Sequence, residues 1–233
     1  MVSTSESKRL IPPLENGDRL SRFEFERRYE AMPYLKKAEL VEGVVYMAAA
    51  LRLRNHGEPH ANLVIWLGNY KVATPGAVLA DNTTVRLDLD NEPQPDVALF
   101  LDPGVGGQVR ISEDDYIEGA PELIAEVAAS SAAYDLGDKK KAYRRNGVRE
   151  YIVWQMFENK LDWFVSENDG YVNLTPDTAG IIRSRIFPGL WLAEAELLAG
   201  NMQQVLAVLQ TGLNSAEHLA FVQNLSDKLQ QSE

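Results

Sequence analysis

The chain has no cysteine. That excludes disulfides, thiolate zinc sites and cysteine nucleophiles. Histidine is nearly as scarce, with only His56, His60 and His218. Three scattered histidines cannot make a histidine-rich metal site, so any metal would sit mainly on oxygen. Oxygen donors favour magnesium or manganese over zinc. Basic charge is short too: 23 Lys and Arg stand against 34 Asp and Glu, a formal net charge of −11. This counts against a protein that coats nucleic acid, because phosphate binding rests on lysine and arginine. It leaves room for a local basic groove, and one basic cluster exists, KKKAYRR from Lys139 to Arg145. The alternative reading of that cluster is a solvated helix face. No apolar run approaches the roughly 20 residues of a membrane helix, and MVSTSESKRLIPPLENGD at the N-terminus has no apolar signal-peptide core. We expect a cytoplasmic protein with no membrane partner. GxSxG, HExxH, Walker and dinucleotide fingerprints are absent as well.

What is present suits a folded domain. The 233 residues are 45% hydrophobic and 24% charged, enough to build a core. We expect a loose leader over 1–18, one domain over 19–196, and a helical extension over 197–233. SRFEFERRYEAM (21–32) reads as a helix with Ser21 as cap and Glu24 at capping-box spacing. AELVEGVVYM (38–47) flanks Gly43 with two strand halves, and EPHANLVIWLGNYKVA (58–73) has helical spacing. Strands follow over 77–89, 95–101 and 121–128, with GVGG (104–107) in a flexible loop between the last two. DLGDKKKAYRRN (135–146) is a helix closed by Gly147, and EYIVWQM, LDWFV and YVNLT are three strands. IFPGLWL is a further extended piece. Helices over about 193–210 and 215–230 end the chain, the second capped by Asn214. This order implies an α/β (α+β) domain with a mixed sheet, on which the C-terminal helices pack unless they serve a partner chain.

Three acids break the apolar pattern. Glu39 opens ELVEGVVYM, Asp96 opens DVALF, and Glu126 lies inside LIAEVA. A carboxylate embedded in a sheet is costly unless paired, hydrogen-bonded or bound to a cation. If neighbouring strands bring the three together, they form a hard-cation site. Each also has a plainer reading: a turn cap for Asp96, an exposed helix-to-strand junction for Glu39, a salt bridge to the basic helix for Glu126. Trp154, Trp163 and Trp191 lie in apolar runs and read as core. Single-strand binding would instead need exposed aromatics beside Lys and Arg.

QPDVALF is followed thirty residues later by PELIAEVAASSAAYDLGDKKKAYRRNGVREYIVW. With ELVEG before them, these segments resemble the bacterial restriction endonuclease-type (Uma-type) family of the PD-(D/E)xK nuclease-like superfamily. The resemblance covers roughly residues 20–195. It implies a restriction endonuclease-like core and a Mg2+- or Mn2+-dependent endonuclease acting on nucleic acid, DNA above all. Asp96 and Glu126 would be metal ligands, with Glu39 assisting. The superfamily pattern carries a lysine two residues after the strand acid, but that position here is Ala128. Lys139, four residues after Asp135, is the substitute in the helix, and Tyr143 shares its face. His60 is an accessory candidate, whereas His56 reads as a loop residue. Related cores often pair, so a homodimer is expected. The alternative is a nuclease-fold binding or regulatory module that has lost catalysis, suggested by Ala128 and the charge of −11.

Overall fold

A computed structural model describes residues 11–47, 50–168 and 170–232. The first ten residues of the expected leader lie outside them. Leu14 is already buried, and the Gly17 N–H donates to the Val45 carbonyl, so the chain packs before residue 19.

Helix α1 (Arg22–Glu30) starts after Ser21, but the expected capping box does not form. Arg27 and Arg28 both hold the Glu24 carboxylate, which therefore cannot turn back to the cap. Strands β1 (Ala38–Val41) and β2 (Val44–Met47) make an antiparallel hairpin. Its two turn residues, Glu42 and Gly43, have φ of +52° and +71°. Two left-handed positions match the twist of paired strands, and the second is a glycine. A π-helical turn (Leu53–Gly57) leads into α2 (Glu58–Ala73).

The remaining elements follow in order: β3 (Ala77–Asp81), β4 (Val85–Arg86), β5 (Val97–Leu101), β6 (Arg110–Ile111), β7 (Ile117–Glu118) and β8 (Leu123–Ala128). GVGG is less loose than expected: Asp102 caps a 3-10 turn over Pro103–Val105, and Val105 is buried. Helix α3 (Ala132–Tyr134), a π-helical turn (Asp135–Lys139) and α4 (Lys140–Asn146) run on continuously until Gly147, at φ +93°. Then come β9 (Glu150–Gln155), β10 (Lys160–Glu167), β11 (Gly170–Asn173), β12 (Ile181–Arg183) and β13 (Trp191–Ala193). The helix expected over 193–210 is two, α5 (Glu194–Leu198) and α6 (Met202–Leu213), split at Gly200 with φ +76°. Asn214 ends α6 rather than capping α7 (Ala216–Ser232). Ser215 takes the cap role, its Oγ accepting from the His218 N–H at 3.3 Å.

The central sheet has the order β11-β10-β9-β8-β5-β3. Among the described pairs of this sheet only β8 and β9 run parallel, so the sheet is mixed, in keeping with the long helical crossover between them. Alternation divides β8 between two cores. Leu123, Ala125 and Val127 face the larger core, shared with Leu63, Trp66 and Leu67 of α2 and with Val205 and Leu209 of α6. Ile124 and Ala128 face the smaller core, shared with Tyr143 and Tyr151. β5 divides the same way, Val97 and Leu99 to one side and Ala98 to the other. The period of two puts Asp96 on the face of Ala98, and Glu126 on the face of Ile124 and Ala128. β5 and β8 are antiparallel neighbours with Val97 opposite Ala125, so the two acids meet one step beyond that pair.

Candidate active site

The backbone ties Asp96 and Glu126 together. The Val127 N–H donates to Asp96 Oδ2 at 2.9 Å, and the Asp96 N–H donates to Glu126 Oε2 at 3.3 Å. Both residues are buried and line one cavity of about 570 Å3. Glu39 enters from the β1–β2 hairpin and is fixed by the Gln94 N–H, which donates to its Oε1 at 2.7 Å. Lys139 comes down from the π-helical turn, its Nζ 2.8 Å from Glu39 Oε1, 2.8 Å from Glu126 Oε1 and 3.8 Å from Asp135 Oδ1. Tyr143, one turn on, donates its hydroxyl to Glu126 Oε1 at 2.9 Å. Glu39, Asp96, Glu126, Lys139 and Tyr143 are thus brought together.

The three consecutive lysines diverge as helix geometry requires. Lys139 is buried, Lys140 lies over the Phe164 ring at 3.4 Å, and Lys141 pairs with Asp138 at the surface. Ala128 is fully buried in the smaller core, where Tyr143 and Tyr151 pack edge to face. A lysine at 128 would compete for that space.

Other residues at the site carried no signal in the sequence. His56, expected in a loop, is turned inward by the π-helical entry to α2, and its Nε2 lies 3.1 Å from Asp96 Oδ2. That contact makes Nε2–H the donor, and the buried Nδ1 has no hydrogen-bond partner among the described residues. Lys37 reaches Asp96 Oδ1 at 3.6 Å. His60 does not touch the Asp96 carboxylate. Its Nε2 sits 3.1 Å from the Asp96 carbonyl oxygen and 2.8 Å from Asp81 Oδ1, so it pins the backbone behind the acid.

Acids outnumber cations here, and the protonation equilibria reflect it. Burial works against charge on Asp96, but the His56 hydrogen bond and the Lys37 ammonium hold its carboxyl well below the usual range. Burial pushes Glu126 up to about 8; Lys139 opposes this, while Asp96, Asp135 and Glu39 add to it. Burial also opposes the Lys139 charge, yet Glu126, Glu39 and Asp135 outweigh it and raise the ammonium well above its ordinary value.

No group of three or more His, Asp or Glu side chains among the described residues is placed to share one ion. Two carboxylates still offer oxygen to the cavity. Among the described residues, Asp96 Oδ1 has only the long Lys37 contact, and Glu126 Oε2 only the long bond from the Asp96 N–H. Hard oxygen donors with excess negative charge fit a divalent cation of the magnesium type.

Residues 24–195 match the Uma2 family, described as "Putative restriction endonuclease". The chain belongs to the Uma2 family. Among solved structures, a "putative nuclease belonging to DUF820" from Anabaena variabilis is similar, with a TM-score of 0.52 and 12% sequence identity. The likeness covers 78% of this chain and 97% of that one. The architecture of this Uma2 member is thus the restriction endonuclease-like mixed α/β fold. No curated protein matches. No helix among the described residues is long and apolar enough to cross a membrane.

Proposed function

We propose that this Uma2 member is a metal-dependent nuclease that hydrolyses phosphodiester bonds in DNA. One observation carries the reading: two carboxylates from adjacent strands and a lysine from the crossover helix converge in a single cavity. Asp96 and Glu126 would hold Mg2+ or Mn2+. Such a cation, when bound, neutralises phosphate charge and lowers the pKa of a bound water.

The remaining side chains prepare the site. Tyr143 and Lys139 both donate to Glu126 Oε1, so Oε2, which takes only the long bond from the Asp96 N–H among the described residues, would be the oxygen offered to the cation. His56 donates to Asp96 Oδ2, which leaves Oδ1. Glu39 steers the Lys139 ammonium. From there the ammonium can donate to a phosphate oxygen as negative charge builds up in the transition state.

The expected outcome is cleavage of plasmid DNA with Mg2+ or Mn2+, lost in Asp96→Ala and Glu126→Ala. Calorimetric titration with Mn2+ should show binding to the wild type and none to Asp96→Ala. Absence of both metal binding and cleavage on every nucleic-acid substrate sinks the reading. It would leave the second one, a nuclease-fold binding module. That reading is favoured by Lys139, whose ammonium already supplies one positive charge among the acids. We also propose a homodimer; light scattering on the full chain at the monomer mass would refute it.

A further inference from the structure

The acids lie at the bottom of the cavity, and the mouth has a different chemistry. Asp96 and Glu126 are 4% and 3% exposed, whereas two apolar residues of the same lining, Leu51 and Phe157, are 64% and 66% exposed. Phe157 follows β9, whose Gln155 is in register with Ala128 of β8, so it stands at the carboxyl end of the strand that carries Glu126. Tyr46 and Tyr134 form the wall between, their rings tilted together at a centroid distance of 4.0 Å. Exposed Arg52 and half-buried Lys37 supply positive charge at the same lining.

Nucleobases stack on exposed aromatic rings regardless of sequence, and Phe157 offers such a ring at the cavity lining. A cavity of about 570 Å3 has room for one nucleotide and not for a length of duplex. A flexible single strand can bring a phosphate to groups this deep more readily than a stiff duplex can. With a net charge of −11, the chain is also poorly equipped to grip a duplex along its backbone.

We propose that the substrate enters as single-stranded or end-splayed DNA, with one base stacked on Phe157, Leu51 beside it, and the adjoining phosphate near Lys37 and Arg52. This rests on the nuclease reading for the role of the acids, but it concerns what the mouth recognises.

The test uses fluorescein-labelled DNA of one sequence in three forms: single strand, blunt duplex, and duplex with splayed ends. Affinities are measured by anisotropy with Ca2+ to suppress turnover, and cleavage is measured in parallel with Mn2+. The single strand and the splayed duplex should bind at least about tenfold tighter than the blunt duplex. Phe157→Ala should remove roughly tenfold of single-strand affinity. Leu219→Ala, an exposed leucine outside the lining, should not. With about one phosphate engaged, the slope of log K against log salt should be near −0.7. Equal affinity for the blunt duplex, or an unchanged Phe157→Ala, overturns the proposal even if cleavage is robust. Preferential single-strand binding with no cleavage supports it while removing the nuclease reading. No binding to any of the three forms overturns the proposal and leaves the nuclease reading to the cleavage and metal-titration assays.

Discussion

Lys139 is the residue on which the site's charge balance turns. Its Nζ sits between Glu39 and Glu126 on the wall of the cavity, and the residue is almost fully buried. Removing one partner of a buried ion cluster leaves the others uncompensated, which costs about 3–5 kcal/mol. Lys139→Met should therefore lower stability by that order in urea melts with EDTA present. The double variant Lys139→Met, Glu126→Gln should recover part of it, because the stranded carboxylate is gone. A single variant as stable as wild type would mean that the acids are already protonated or solvated. Away from this site, Glu92 makes a pH-dependent contribution. Burial pushes its pKa up from 4.5 to about 8; the neighbouring Glu26 adds to this, and Arg86 and Arg22 oppose it. Between those values the native state holds a proton that the unfolded chain has released. Stability that is fully present below about pH 4.5 is therefore lost as pH rises toward 8, at a slope of at most about 1.4 kcal/mol per pH unit. Glu92→Gln should flatten this limb, its Tm gaining on the wild type from about pH 5 to about pH 8. Parallel Tm curves would refute the assignment.

At the scale of elements, the hairpin that carries Glu39 depends on its turn. Gly43 adopts φ +71° directly after Glu42 at +52°, so two adjacent residues lie in the left-handed region. Gly43→Ala should cost about 1–2 kcal/mol in thermal or urea melts, with no change to the side chains of the cavity. A loss near zero would show that the turn shifts to another form. Elements also explain which parts of the site were legible in the sequence. Glu39, Asp96 and Glu126 stand out because a strand alternates with period two, and an acid in an apolar run violates it. Lys139 is singled out by the resemblance, whose DxxxK helix puts the lysine four residues after Asp135; the run of three lysines does not by itself choose among them. His56 and Lys37 could not be found this way. His56 is positioned by a π-helical turn, which leaves no period in the sequence, and Lys37 lies in a loop. Helix ends were equally hard to read. Ser21, Asn214 and Ser215 are all good caps by residue type, and only the competition of Arg27 and Arg28 for Glu24, or the stop of α6 at Asn214, decides among them.

At the scale of the whole molecule, the chain after residue 196 divides into two parts of unequal importance. Val205, Leu209 and Leu213 of α6 belong to the main core, in the same cluster as Leu63, Trp66 and Leu67 of α2. Emptying one such position costs about 2–5 kcal/mol, so Leu209→Ala should fall in that range. Ending the chain after Gly200 removes all three residues at once. The summed loss rivals the about 5–15 kcal/mol that holds an ordinary domain together, so this fragment should not fold. α7 contributes less. It buries Leu225 and holds His218, whose Nε2 meets Thr74 Oγ1 at 3.0 Å and whose Nδ1 lies 2.8 Å from the Leu213 carbonyl oxygen. A chain ending after Ser215 keeps the core cluster intact and should melt cooperatively, at a lower Tm than the full protein. Near-UV circular dichroism melts of the two truncations separate these outcomes. If the chain ending at Gly200 melted cooperatively at the full-length temperature, α6 would be an appendage despite its packing. The restriction endonuclease-like core would then be complete at the end of α5.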